Sequence, residues 1–136
     1  MQLEEAKDLV RQFVQAINER DETAVDELTS GELACRARAW VRPFDTAFPD
    51  FRMELEALVA EGDTVVAQLR CSGTHQGAWL GILPTGRRFE DVDKIYVFRL
   101  DGGRIVAASG VEDNLTRIQQ LDLTLSAPAP SGDEVS

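Results

Sequence analysis

The feature that most constrains this chain is a change of hydrophobic period at Phe51. Before it, apolar residues return every three to four positions; after it, they alternate. The first pattern buries one stripe of a helix and the second buries one face of a strand. Leu3, Ala6, Val10, Phe13, Val14 and Ile17 predict an amphipathic helix over 3–18, broken by Asn18-Glu19-Arg20-Asp21. Ala24, Val25 and Leu28 predict a short second helix over 22–29. Leu33, Ala37, Trp40, Val41 and Phe44 predict a third over 32–47. Pro43 is expected to kink or restart that helix, because its ring clashes with the carbonyl four residues back.

In the alternating half, Phe51, Met53, Leu55, Ala57 and Val59 are expected on one face of a strand. A tight turn at Glu61-Gly62-Asp63 leads to a second strand over 64–75, with Val65, Ala67, Leu69 and Cys71 inward. Beyond a glycine-rich stretch, a third strand over 88–100 ends at Asp101-Gly102-Gly103, and a fourth covers 104–111. Asp113 opens a short helix carrying Leu115, Ile118, Gln119 and Leu121. The tail TLSAPAPSGDEVS is small, polar and Pro-rich, which predicts disorder over 124–136 beyond a single domain of 1–123. Helices followed by an antiparallel meander give an α+β domain, its helices on one face of a curved sheet. The space between the two layers is a natural apolar ligand site.

Composition narrows the function. A formal charge of −10 argues against nucleic acid or an anionic membrane as partner, since both need a basic face. No apolar run is long enough to span a bilayer, and MQLEEAKDLVRQ is acidic and helical rather than a signal peptide. Cys35 and Cys71 are isolated, without metal-binding spacing, and read as the reduced thiols of a cytoplasmic protein. No nucleotide fingerprint, P-loop or haem motif is present, so neither cofactor nor metal is expected.

FPDF at 48–51, AEGD at 60–63, GTHQG at 73–77, PTGR at 84–87, DGGRI at 101–105 and QQL at 119–121 follow one another in a characteristic order. With these motifs the chain resembles the SnoaL-like polyketide cyclases of the NTF2-like superfamily over about residues 3–122. The resemblance implies a cone-shaped α+β fold, a homodimer packed through the sheets, and an apolar small-molecule substrate. It also implies secondary, antibiotic-type metabolism. Cyclases of this kind close a ring by cofactor-free intramolecular aldol condensation, with an aspartate moving the proton. Counting from DGGRI, their cavity histidine falls on Tyr96 and their acid/base aspartate on Gly110, so both groups differ here. Residues 28–33 leave no room for the strand these proteins carry between the second and third helices. The family also includes proteins that assist hydroxylation, and a non-catalytic binding protein is the alternative to a cyclase.

Three residues are candidate catalytic groups. Asp113 is the best remaining acid, either a desolvated base at the cavity mouth or the N-cap of its helix. Tyr96 shares a strand face with Phe98, where its phenol could stabilise an enolate or be an ordinary core group. His75, the only histidine, is either an acid/base or the anchor of the Gly73–Gly86 loop. Trp40, Phe44, Phe51, Trp79 and Phe98 are expected to form flat apolar walls for the substrate. Asp93 and Lys94 are assigned to the solvent face, and the extra residue between Gly86 and Ile95 predicts a bulge.

Overall fold

The computed structural model describes residues 2–124, apart from the side chain of Trp40. Most of the predicted disordered tail, residues 125–136, lies outside the described residues. Three helices come first: α1 (Leu3–Glu19), α2 (Glu22–Leu28) and α3 (Gly31–Ala47). Four strands follow, β1 (Arg52–Glu61), β2 (Thr64–Thr74), β3 (Arg88–Asp101) and β4 (Arg104–Glu112), and then α4 (Asn114–Gln120). The strands form one antiparallel sheet in the order β1-β2-β3-β4.

The α1 stripe packs on the inner face of this sheet, with Phe13 edge-on to Phe98 at 5.5 Å between ring centroids. Leu3 departs from expectation, being 46% exposed at the first residue of the helix. Asn18 does more than break α1. Its side-chain amide donates to the Met53 carbonyl and accepts from the Met53 N–H, both at 2.8 Å, pinning the start of β1 to the helix end. Helix α3 runs continuously through Pro43. The short α2–α3 link leaves Thr29 as an isolated bridge to Ile105, with no extra strand there.

Strand β2 follows the predicted alternation, and Val65, Ala67, Leu69 and Cys71 are all fully buried. Strand β1 does not. Leu55 pairs with Leu69 but Ala57 pairs with Gln68, so Glu56 is an extra residue in the ladder. A bulge shifts the phase of every residue beyond it by one. Leu58 and Ala60 therefore pack against the core, whereas Ala57 is exposed and Val59 is 64% exposed. A second bulge interrupts the β2–β3 pairing where Cys71 faces Val92 and Gly73 faces Phe89. It contains Asp91, in the left-handed region at φ 55°, and matches the extra residue predicted there. The β3–β4 hairpin closes through Gly102 and Gly103, both at positive φ, as a two-residue turn compatible with strand twist requires.

Candidate functional site

The inner face of β3 carries Val92, Lys94, Tyr96 and Phe98, and the ladder sets each against a defined neighbour on β4. Phe98 pairs with Ala108, Tyr96 with Gly110, and Lys94 with Glu112. Helix α3 stands over these rungs, and between helix and sheet lies a cavity of about 570 Å³. Its apolar wall includes Ile17, Val41, Phe44, Phe51, Met53 and Trp79. Its polar end is made by Lys94, Tyr96 and Glu112, with Arg36 and Ser109 also on the lining.

Lys94 thus faces the cavity rather than solvent, a correction that follows from its sharing the parity of Tyr96. Its ammonium lies 3.2 Å from Glu112 Oε1, with the two side chains 11% and 13% exposed. It also sits over the Tyr96 ring, 4.5 Å from the centroid. Burial alone would lower the lysine pKa, but Tyr96 and Glu112 outweigh it and the net shift is upward. Burial likewise pushes the Glu112 carboxyl up, and Lys94 and Arg117 together bring it below its ordinary value. Both groups are therefore charged at neutral pH.

Arg117, on α4, is fully buried behind this pair. Its guanidinium reaches both Glu112 oxygens at 3.3 Å and donates to Asn114 Oδ1 at 2.6 Å. It packs over the rings of Phe89 at 4.6 Å, Phe44 at 5.1 Å and Trp79 at 5.7 Å. Helix α4 is docked on β3 by Gln120, whose amide accepts from the Glu90 N–H at 2.6 Å and donates to the Glu90 carbonyl at 2.8 Å. Leu115 is 66% exposed, and Arg117 and Leu121 face the core. Their separation of four residues puts them on one face of α4.

The remaining expected site residues divide. Phe44, Phe51, Trp79 and Tyr96 line the cavity. Phe98 does not: it is fully buried beneath Tyr96 and against Phe13, as part of the core. The Trp40 side chain lies outside those described. Asp113 is exposed and caps α4, accepting from the Thr116 N–H at 3.0 Å and from the Thr116 hydroxyl. Those bonds stabilise the carboxylate and lower its pKa, opposite to the upward shift expected of a desolvated base.

His75 is fully buried and off the cavity lining. Its Nδ1 accepts from the Thr85 N–H at 3.2 Å, while its backbone pairs with Arg87 and Gly86 across the neck of the loop. The same loop is tied to α3 through the Ala47 carbonyl, which accepts from the Gln76 and Gly77 N–H groups. A Cβ on Gly77 would stand 2.1 Å from the Thr46 carbonyl oxygen, so only glycine fits this approach. The result is to hold Trp79 in the cavity wall.

Tyr96 and Gly110 form a coupled pair. A Cβ at 110 would meet the Tyr96 ring at 2.9 Å, so the ring occupies space that a side chain on β4 would otherwise fill. The charged Lys94–Glu112 pair lies on the next inward-facing rung. Neither cysteine joins the site. Cys35 is exposed, and burial pushes the Cys71 thiol up to about 11. Among the described residues, no group of three or more His, Cys, Asp or Glu is placed to hold a metal ion, and no helix is long and apolar enough to cross a membrane.

The architecture is shared with solved structures. TsrD of Streptomyces laurentii is 29% identical and superposes with a TM-score of 0.80, covering 89% of this chain and 97% of its own. IdmH of Streptomyces antibioticus, a proposed polyketide cyclase, is 25% identical with a TM-score of 0.77, covering 87% and 99%. AclR of Streptomyces galilaeus, a proposed hydroxylase, is 23% identical with a TM-score of 0.81, covering 94% and 87%, and is similar in fold. No curated protein matches the chain in sequence. The sequence pattern described as SnoaL-like polyketide cyclase matches residues 7–121, within the NTF2-like α+β fold set out above, and the chain belongs to that family.

Proposed function

We propose that the protein is an enzyme of polyketide-type secondary metabolism that closes or rearranges a ring in a flat apolar substrate by general acid/base catalysis. The observation that carries this reading is the Lys94–Glu112 rung, a buried acid and a buried cation side by side on the cavity wall. Glu112 takes the proton-transfer role in place of the solvent-facing Asp113. Its carboxylate removes a proton from carbon next to a carbonyl, and the Lys94 ammonium and Tyr96 phenol stabilise the oxygen of the resulting enolate. The enolate carbon then bonds to a second carbonyl carbon of the same molecule, and the new alkoxide recovers the proton. A carboxylate held ionised by two cations is a modest base, which suits a carbon acid activated by two flanking carbonyls. His75 acts indirectly, by holding the loop that carries Trp79.

A homodimer fits the outer sheet face. Val59, Val66 and Val97 form one row across three strands, and Ile95 and Val111 adjoin it on the next. Val97 is 42% and Val111 70% exposed.

The test uses aromatic polyketide esters bearing a side-chain ketone, incubated in D2O and followed by NMR and chromatography. Wild type and Asp113→Asn are expected to exchange the proton next to the carbonyl and form the ring-closed isomer, and Glu112→Gln to do neither. Exchange that survives in Glu112→Gln would refute the assignment. Binding without exchange by the wild type would support a non-catalytic or hydroxylation-accessory role instead.

A further inference from the structure

We infer that the cavity takes an anionic ligand, a flat apolar molecule whose oxyanion (a carboxylate or an ionised phenol) docks on Lys94. This rests on the reading of the cavity as the ligand site and goes beyond it to the charge of what enters. The basis is a count of buried charge. Glu112 is the one carboxylate on the cavity lining among the described residues, and it faces two buried cations, Lys94 and Arg117. Arg117 reaches both Glu112 oxygens and can neutralise that carboxylate alone. Lys94 is then left as a buried positive charge with its carboxylate partner already balanced. The nearby acids do not correct this: Asp113 is turned outward as a cap, and Asp93 is exposed on the opposite face of β3.

Two further observations point the same way. Donors outnumber acceptors in the cluster, since the buried Arg117 Nε has no hydrogen-bond partner among the described residues. The Lys94 ammonium also lies against aromatic faces, 4.5 Å from the Tyr96 centroid and 5.9 Å from that of Phe44. Such contacts soften an unbalanced cation without neutralising it. Isolated buried charge is costly, so an arriving anion gains more here than in water, while the aromatic and aliphatic wall takes its flat apolar body. That local balance is opposite in sign to the chain as a whole, at −10. Nonspecific attraction of anions to the surface is therefore disfavoured.

The experiment compares two fluorescent probes of similar shape, the anionic 1-anilinonaphthalene-8-sulfonate and the neutral N-phenyl-1-naphthylamine. Wild type is expected to bind the anion at least about tenfold more tightly, roughly one decade in Kd. Lys94→Met should abolish that preference while leaving the neutral probe unchanged, and Lys94→Arg should keep it. Glu112→Gln should increase it, since one more positive charge is then unbalanced. Ala108→Phe, which fills the cavity, should weaken both probes. Displacement by 2-naphthoate, its methyl ester and 4-nitrophenolate then separates the sources of the oxyanion. Either anion outcompeting the ester supports the proposal, and the one that does so names the group. Equal binding of both probes, or a preference that survives Lys94→Met, overturns it. No turnover is read, so a protein that selects anions but catalyses nothing loses only the acid/base mechanism.

Discussion

Glu112→Ala tests the charge arrangement at the site most directly. The substitution leaves the Lys94 ammonium, 11% exposed, and the fully buried Arg117 guanidinium facing one another without a carboxylate. Deleting one partner of a buried ion pair costs about 3–5 kcal/mol. At the lower end, for a domain of this size, the melting temperature should fall by about 9–15 °C. Lys94→Met leaves Glu112 still paired with Arg117 and no carboxylate uncompensated, so it should cost clearly less than Glu112→Ala. The assay is thermal unfolding by circular dichroism at neutral pH, checked by urea titration. The pH dependence has a fixed sign. Glu112 titrates below its unfolded value of about 4.3, so its contribution is present above that pH and is lost as pH falls through the lower folded value. The gap between wild type and Glu112→Ala should close in that acid range. Equal destabilisation by Lys94→Met and Glu112→Ala would refute the reasoning, because it would mean that Lys94 is not the surplus charge.

Three other outcomes are expected. Gly110→Ala puts a methyl group 2.9 Å from the Tyr96 ring, so the phenol must move; turnover and ligand affinity should drop more than thermal stability, measured side by side. Asp113→Ala removes the α4 cap and should lower the melting temperature while leaving proton exchange in the substrate intact. Val97→Glu places a charge on the apolar outer patch, next to Val66 and Ile95, and should convert a dimer to a monomer by light scattering; a wild type that already runs as a monomer would remove the basis for that interface.

Most of the architecture was legible because each element announces itself locally. The α1 stripe, the β2 alternation and the paired glycines at 102 and 103 each encode a period or a backbone conformation within a few residues. The site was half legible. Parity alone places Tyr96 on the same face as Phe98, yet the same rule puts Lys94 there too, and the preference for solvating an ammonium points the other way. Arg117 was not recognised at all, since a lone arginine in a short polar helix looks solvated. Its burial depends on Glu112 and on the rings of Phe44, Trp79 and Phe89, which are distant in sequence.

By itself, then, the sequence determined the order and type of the elements, the α+β class and the inner face of β3, all properties of residues close along the chain. The motifs from FPDF to QQL likewise pointed to the family. The tertiary structure decided where phase slips and which charges are buried. The bulge at Glu56 sends Val59 outward and Leu58 inward, because an extra residue in one strand is visible only against its partner. An extra residue at Val106, between the Arg99–Ala107 and Leu100–Ile105 pairs, sets β3 and β4 in the register that pairs Lys94 with Glu112. Docking of α4 then brings Arg117 beneath them, and so leaves one carboxylate between two buried cations.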